Sequence, residues 1–191
     1  MSAQHVSGLE QVKALYDDLA AVRDWVLAAP PATDEVLIAA ARRFLSFEAR
    51  LLDGKRFESW LELWAPRGWY WIPLRQNSHP AQDQALFLDD RRRLQERVGR
   101  MQDPYAWGIQ PLPQVLRAIT NVEAWKSPAE EVLSSSILTL HVFKGSSSGA
   151  HLVAAHQIHL LCQQPEGFQI LRKIMLIPEL AQGSPHLGWL L

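Results

Sequence analysis

Four of the seven histidines fall in one stretch: His141, His151, His156 and His159. Imidazole is the commonest protein metal ligand, so the clustering first raises a metal site. Strand geometry argues against it. Side chains of an extended chain alternate between faces, so His156 and His159 point oppositely. His151 and His159 share a face but lie roughly 26 Å apart along a strand. His156 meets His141 only in one favourable hairpin register. Neither a helical H-E-x-x-H nor a two-histidine, one-carboxylate triad is present. The expectation is surface or hydrogen-bonded structural histidines, with no metal held by this chain.

Other chemical signatures are equally bland. Arg91, Arg92, Arg93, Arg97 and Arg100 lie close together, which invites a phosphate or nucleic-acid reading. Asp89 stands four residues before Arg93, and Glu96 four before Arg100, the spacing of helix-surface ion pairs. A solvated face or subunit contact is the expectation, with no nucleic acid. There is no G-x-S-x-G, no P-loop and no G-x-G-x-x-G. Cys162 ends an apolar strand pattern and reads as a small core residue. Asp53 and Glu58 sit at helix ends, where caps and dipole effects account for them. Eight tryptophans are a heavy load, with Trp60, Trp64, Trp69 and Trp71 close together. Aromatics build cores first and interfaces second. Trp107 lies in an irregular proline-rich segment and Trp189 near the C-terminus, so these two point to an interface.

Composition bounds the rest. At 191 residues, 48% hydrophobic and 20% charged, the chain is one globular domain with a sizeable core. A net charge of −1 gives no general attraction to nucleic acid or an anionic membrane. A single cysteine excludes an internal disulfide, a Cys-rich zinc site and a self-contained iron–sulfur cluster. No apolar run is long enough to span a membrane, and the first residues do not read as a signal peptide. A reducing cytoplasm is the expected compartment.

The elements follow from periodicity. Residues 9–28 read as a helix through Val12, Leu15, Tyr16, Leu19, Val22 and Val26. Pro30 and Pro31 break it. Thr33 is the expected N-cap of a second helix whose apolar stripe runs Val36, Ala40, Phe44, Phe47 and Leu51, ending at Asp53-Gly54. A further helix spans about 56–64. Strands are expected at 69–74, 116–125, 134–143, 151–162 and 168–177, with a turn at 144–149 and a hairpin across 163–167. Residues 87–101 begin extended and become a helix, with Leu94, Val98 and Met101 inward. Helices first and antiparallel strands after predict an α+β fold, its helices on one face of a curved sheet.

The order of these segments carries a resemblance. Glu48, Ala49, Leu51, Leu52, Asp53, Phe57 and Trp60 meet an E-A-x-L-L-D-x-x-x-[FY]-x-x-W stretch. Tyr70, Trp71, Ile72 and Pro73 meet Y-W-[IV]-P. Asp89, Asp90, Leu94, Arg97 and Val98 meet D-D-x-x-x-L-x-x-R-V, and Ile119 to Val122 meet [IV]-[ST]-N-V. Over about 34–178 the chain resembles the small (β) subunit of aromatic-ring-hydroxylating dioxygenases. It departs from the family in two places. Gln114, Val115 and Leu116 replace most of an S-R-T-R-like run, with Arg117 kept. Ala154, Ala155, His156 and Gln157 stand where the family often has G-R-R and an acidic residue.

The resemblance implies a cone-shaped fold similar to scytalone dehydratase and ketosteroid isomerase: a strongly curved, mixed but mostly antiparallel sheet wrapped by N-terminal helices. The expected division is an N-terminal helical extension and linker at 1–32, the cone domain at 33–180 and a tail at 181–191. It implies a non-catalytic structural subunit, without cofactor, in an α3β3 assembly with a large (α) subunit and other copies of itself. That α subunit would carry a Rieske [2Fe–2S] cluster and a mononuclear non-haem iron, fed by NADH through a reductase or ferredoxin, and would dihydroxylate an aromatic compound. Trp107, Ile109, Arg117, Trp189, Leu190 and Leu191 are the contact candidates. Two alternatives stay open. One is a free-standing cone-fold dehydratase or isomerase using Tyr70, His156 or Asp53 as acid or base. The other is a ligand-binding or self-assembling homo-oligomer.

Overall fold

A computed structural model describes residues 8–107, 110–127, 129–144 and 148–182. Among the described residues, four α-helices and six strands follow one another as α1 (Gly8–Ala28), α2 (Glu35–Asp53), α3 (Phe57–Glu62), β1 (Trp64–Pro73), β2 (Ala85–Asp90), α4 (Arg91–Gln102), β3 (Gln114–Lys126), β4 (Val132–Lys144), β5 (Ser148–Gln164) and β6 (Gly167–Leu176). A short 3-10 turn, Pro178–Gln182, follows β6. The strands form one sheet in the order β2-β1-β6-β5-β4-β3. β1 and β6 run parallel and every other pair is antiparallel, as an α+β chain with late hairpins requires.

Helix ends follow local chemistry, with adjustments to the expected boundaries. The cap of α2 is Asp34, not Thr33: its Oδ1 accepts from Leu37 N at 3.0 Å. A carboxylate at this position also complements the helix dipole, which a hydroxyl does not. The buried side of α2 is carried by Ile38, Ala41, Phe44, Leu45, Glu48, Ala49, Leu51 and Leu52. Val36 and Phe47, expected on the stripe, are exposed. The true stripe is rotated because it must follow the sheet beneath it. α3 ends at Glu62 and Trp64 opens β1, five residues before the expected start. The sheet captures this stretch: Ile170 N donates to Leu63 O at 2.7 Å, and Trp64 pairs in register with Ile170.

Each face of the sheet carries a buried core under helices, which corrects the expectation of helices on one side. The inner face packs under α2, α3 and α4 in a core that includes Phe44, Trp60, Trp64, Tyr70, Leu94 and Leu140. The outer face carries a second core in which Leu19, Val22 and Val26 of α1 lie on Trp71, Leu133, Ile158 and Ile174. The helix read at 9–28 therefore covers the sheet. Arg23 pins it, with its guanidinium 5.3 Å from the Trp71 ring centroid and a bond to Ser78 O. Arg172 to Asp18 (2.7 Å) fixes the other half. The turn expected at 144–149 is tighter than read, since β4 reaches Lys144 and β5 starts at Ser148; residues 145–147 lie outside the described residues.

Candidate functional site

The inner face carries a polar row that crosses five of the six strands. Register places Asp89 beside Tyr70, Tyr70 beside Lys173, Lys173 beside His159, and His159 beside Ser134. Directly opposed residues share a face, so these side chains point together into the interior. α2 supplies Glu48 to the centre of the row. Its Oε1 accepts from Lys173 Nζ at 2.6 Å and from Trp60 Nε1 of α3 at 3.0 Å. Its Oε2 lies 3.2 Å from Nε2 of His159. Tyr70 donates to Met175 Sδ at 2.8 Å, and Lys173 Nζ lies 5.6 Å from the Tyr70 ring centroid. At one end Arg97 closes on Asp89 at 2.6 Å, with its guanidinium 3.6 Å from the Phe87 ring centroid.

Burial sets the charge states. Glu48 is 2% exposed, Lys173 1%, and Trp60, Tyr70 and His159 0%. Burial opposes ionisation of Glu48, but Lys173 and His159 outweigh it and hold the carboxyl well below the usual range. Burial pushes the His159 imidazole down, with Glu48 opposing. Burial raises the Tyr70 phenol, and the charge of Glu48 adds to that. Neither nitrogen of His159 has an aligned hydrogen bond, nor do Ser134 Oγ and Trp64 Nε1. The centre is thus an ion pair with two aromatic neighbours, enclosed by protein. It orders the interior of the cone, and none of its groups faces solvent where a substrate would meet it.

The sequence did not single out Glu48, Lys173 or His159 for this role. The available signal was a carboxylate on the buried side of α2, at helical spacing from Phe44, Leu45 and Leu52. The acid–base candidates are dispersed. Tyr70 is in the polar row. His156 lies on the outer face, its Nε2 2.6 Å from Ser135 Oγ, and burial pushes its ring down. Asp53 ends α2 and holds Arg117, Oδ1 to NH1 at 2.6 Å and Oδ2 to the Arg117 amide at 3.1 Å. The histidines also stay apart. His141 pairs in register with Leu152, and His156 with Ile137. Among the described residues no three His, Cys, Asp or Glu groups are placed to hold a metal ion.

Of the contact candidates, Trp107 is 82% exposed beside Tyr105 at 76%. Arg117 is buried against Asp53 at a small pocket shared with Lys55, Phe57 and Leu112. Ile109, Trp189, Leu190 and Leu191 lie outside the described residues. The arginine helix pairs differently from its spacing. Asp89 takes Arg97, Glu96 takes Arg92, and the Arg93 amide caps on Asp90. Asp89 belongs to β2, not to the helix, so helical spacing does not govern it. Cys162 is half-buried near the β5–β6 turn, 3.7 Å from Gln169 O, and not a core residue. Among the described residues no helix is long and apolar enough to cross a membrane.

Comparison with known proteins agrees with the motifs. Residues 47–182 match the ring hydroxylating beta subunit family. The chain is 26% identical over 154 residues to the N,N-dimethyl phenylurea N-demethylase subunit beta of Sphingobium sp. (strain YBL2), covering 78% of this chain and 88% of that protein. It is 34% identical over 90 residues to the toluate 1,2-dioxygenase subunit beta of Pseudomonas putida, covering 44% of this chain but only 56% of that one. In structure it is similar to a chain of naphthalene 1,2-dioxygenase with indole bound in the active site. The TM-score is 0.73 at 20% identity, covering 96% of this chain and 94% of that chain, which establishes the fold. With the polar row enclosed and the family match spanning α2 to the last strand, the chain belongs to the β subunits of ring-hydroxylating dioxygenases.

Proposed function

We propose that this chain is the non-catalytic structural subunit of an α3β3 oxygenase. The large subunit of that assembly would carry the Rieske [2Fe–2S] cluster and mononuclear non-haem iron, with electrons from NADH through a reductase or ferredoxin, in the cytoplasm. The observation that carries this reading is the family match, joined to an interior whose titratable groups are sealed against one another. One cysteine cannot ligate a Rieske centre, so the cluster must sit elsewhere. Trp107 and Tyr105 are large aromatics held in solvent, the residue types that dominate interface energetics. They are the contact we assign to the larger subunit, together with Ile109 and the tail Trp189, Leu190 and Leu191. Arg117 acts behind this surface by fixing β3 to the end of α2.

The substrate is an aromatic compound. Ring dihydroxylation is the reading favoured by relatives such as the toluate enzyme's subunit. The match covering 78% of the chain is to a phenylurea N-demethylase subunit, which favours attack at an N-methyl group of an aryl substrate as the second reading. A free-standing dehydratase or isomerase fits less well, because Tyr70, His156 and Asp53 occupy three separate environments. The test is native mass and iron content of the tagged chain purified from its own cell. The expected result is a complex of equal numbers of this chain and a larger one, with about three irons per larger chain. An iron-free species without a larger chain overturns the reading.

A further inference from the structure

Residues 34–58 contain five acidic and five basic side chains, so the segment is neutral in sequence. The fold separates the two signs. Asp34 caps the start of α2, and Glu35 lies in its first turn, where the helix dipole favours a carboxylate. Glu48 is enclosed against Lys173, and Asp53 turns to Arg117. Glu58 accepts from Gln102 of α4. The cations go the other way. Arg42, Arg43, Arg50, Lys55 and Arg56 are all exposed. Among the described residues none of the five forms an ion pair. Lys55 and Arg56 make only long contacts, to Leu112 O at 3.4 Å and Ser59 Oγ at 3.5 Å. The residues outside the described ones include no Asp or Glu that could neutralise them.

Helical spacing gathers this charge. Arg42, Arg43 and Arg50 share the side of α2 opposite the buried Phe44, Leu45 and Glu48. From Arg42 to Arg50 the helix rises about 12 Å. Lys55 and Arg56 continue the face into the α2–α3 turn. Phe47 stands beside these cations at 39% exposure, with the Arg50 guanidinium 5.7 Å from its ring centroid. The helix dipole accounts for cations near the end of α2. It does not account for Arg42 and Arg43 in the middle, which have no acid one turn away to offset their repulsion. α4 is the contrast. There Glu96 holds Arg92, Asp89 holds Arg97, and Arg91 donates to Trp64 O. The arginines that stand out in the sequence are largely neutralised, and those of α2 are not.

We propose that the exposed side of α2 and the α2–α3 turn is a docking surface for an acidic protein that binds reversibly. The sign of the face selects carboxylates or phosphates. Its length exceeds what one small anion spans, which selects a macromolecular surface. Phe47 selects protein over nucleic acid, because an aromatic side chain flanked by guanidinium groups is a combination typical of protein–protein hot spots. The chain as a whole, at net −1, also does not attract a long polyanion. Solvated cations around a single exposed ring provide no apolar core of the size that a permanent interface buries. Such charges steer an encounter and set its rate more than its final affinity. The inference does not depend on the oxygenase reading.

The test follows fluorescein-labelled poly-L-glutamate by fluorescence anisotropy, over a salt series. It is added to the full-length chain alone and to its complex with the larger subunit. The wild-type chain should bind, and binding should weaken as rising salt shortens the screening length from about 30 Å at 0.01 M to about 8 Å at 0.15 M. Arg42→Glu/Arg43→Glu should weaken binding at least about 10-fold at low salt. Both side chains are exposed and unpaired, so the fold is expected to survive, as checked by circular dichroism. The milder Arg42→Ala/Arg43→Ala variant should act in the same direction. Arg92→Glu/Lys126→Glu changes the net charge equally but away from the face, and should leave binding nearly unchanged. Equal losses in the two Glu variants overturn the proposal, since net charge and not the face would then decide. So does a wild-type chain that does not bind at low salt, or one that prefers a duplex DNA oligomer at physiological salt. Loss of binding in the complex shows that the larger subunit owns the face; it overturns reversible docking and leaves the subunit reading intact. If no larger subunit exists, the subunit reading falls, while face-dependent binding by the single chain still supports the proposal.

Discussion

Replacing Glu48 with Gln isolates the centre of the polar row. Glu48 takes Lys173 Nζ at 2.6 Å and Trp60 Nε1 at 3.0 Å, and stands 3.2 Å from His159 Nε2. Gln keeps the shape and one acceptor but leaves the Lys173 ammonium enclosed without a counter-charge. Removing one partner of a buried pair typically costs about 3–5 kcal/mol, a large share of the roughly 5–15 kcal/mol that holds a domain folded. At about 2–4 °C per kcal/mol for a chain of this size, Tm should fall by about 10 °C. Urea unfolding read by tryptophan fluorescence, at one fixed protein concentration, measures it. The double variant Glu48→Leu/Lys173→Met removes both charges and should recover at least half the loss. What it does not recover is the orphaned Trp60 N–H, worth about 1–3 kcal/mol. Loss of less than about 1 kcal/mol in Glu48→Gln, or a double variant as unstable as the summed singles, would refute the view that the ion pair organises the interior.

Four further outcomes follow from the geometry. Glu48 has its carboxyl depressed in the folded chain, so its stabilisation is full above the ordinary value of 4.5 and is lost as pH falls through the lower folded value; acid titration of Glu48→Gln should therefore show a shallower loss of stability in that window than wild type. His159 is also depressed, so the unfolded chain binds the extra proton and stability should decline as pH falls below about 6.5, a decline that His159→Leu should flatten in pH-dependent melting. Gly68→Ala should cost at least about 2 kcal/mol by urea unfolding, because the added Cβ would lie 2.8 Å from Trp64 Cε3 and 2.9 Å from Ile170 O, and a carbonyl in the sheet cannot step aside. Trp107→Ala should leave Tm of the chain within about 1 °C and reduce co-purification of the larger subunit, since the ring is 82% exposed and packs little within its own chain.

The element order was legible because each element declares itself locally. α1 repeats its apolar residues at helical spacing, α4 opens on Asp90, whose carboxylate accepts from Arg93 N at 2.8 Å, and the β5–β6 turn closes on Gly167 at φ +141. What local signals do not encode is which side of the sheet an element covers. α1 and α2 are both amphipathic, yet one packs on Trp71 and the other under Tyr70, adjacent residues of one strand pointing opposite ways. The rotation of the α2 stripe has the same origin. Val36 and Phe47 fit a helical period, but the sheet accepts the side that carries Glu48. A carboxylate on that side was read as a motif letter rather than as a partner, because Lys173 lies 125 residues away and His159 on a third element.

That remoteness also explains how the fold can serve as a scaffold. A cone-shaped interior lined by Tyr, His, Lys and Glu has the residue types of an acid–base site, and sequence reasoning that looks for such groups will find them. Whether they act depends on what their charges face. Here the carboxylate faces the ammonium at 2.6 Å and the phenol faces a thioether at 2.8 Å, so the groups are directed at one another and not toward an opening. Burial then disfavours a charged imidazole and a charged phenolate together. An interior fixed in this way leaves the outer surfaces as the places where the chain meets anything else.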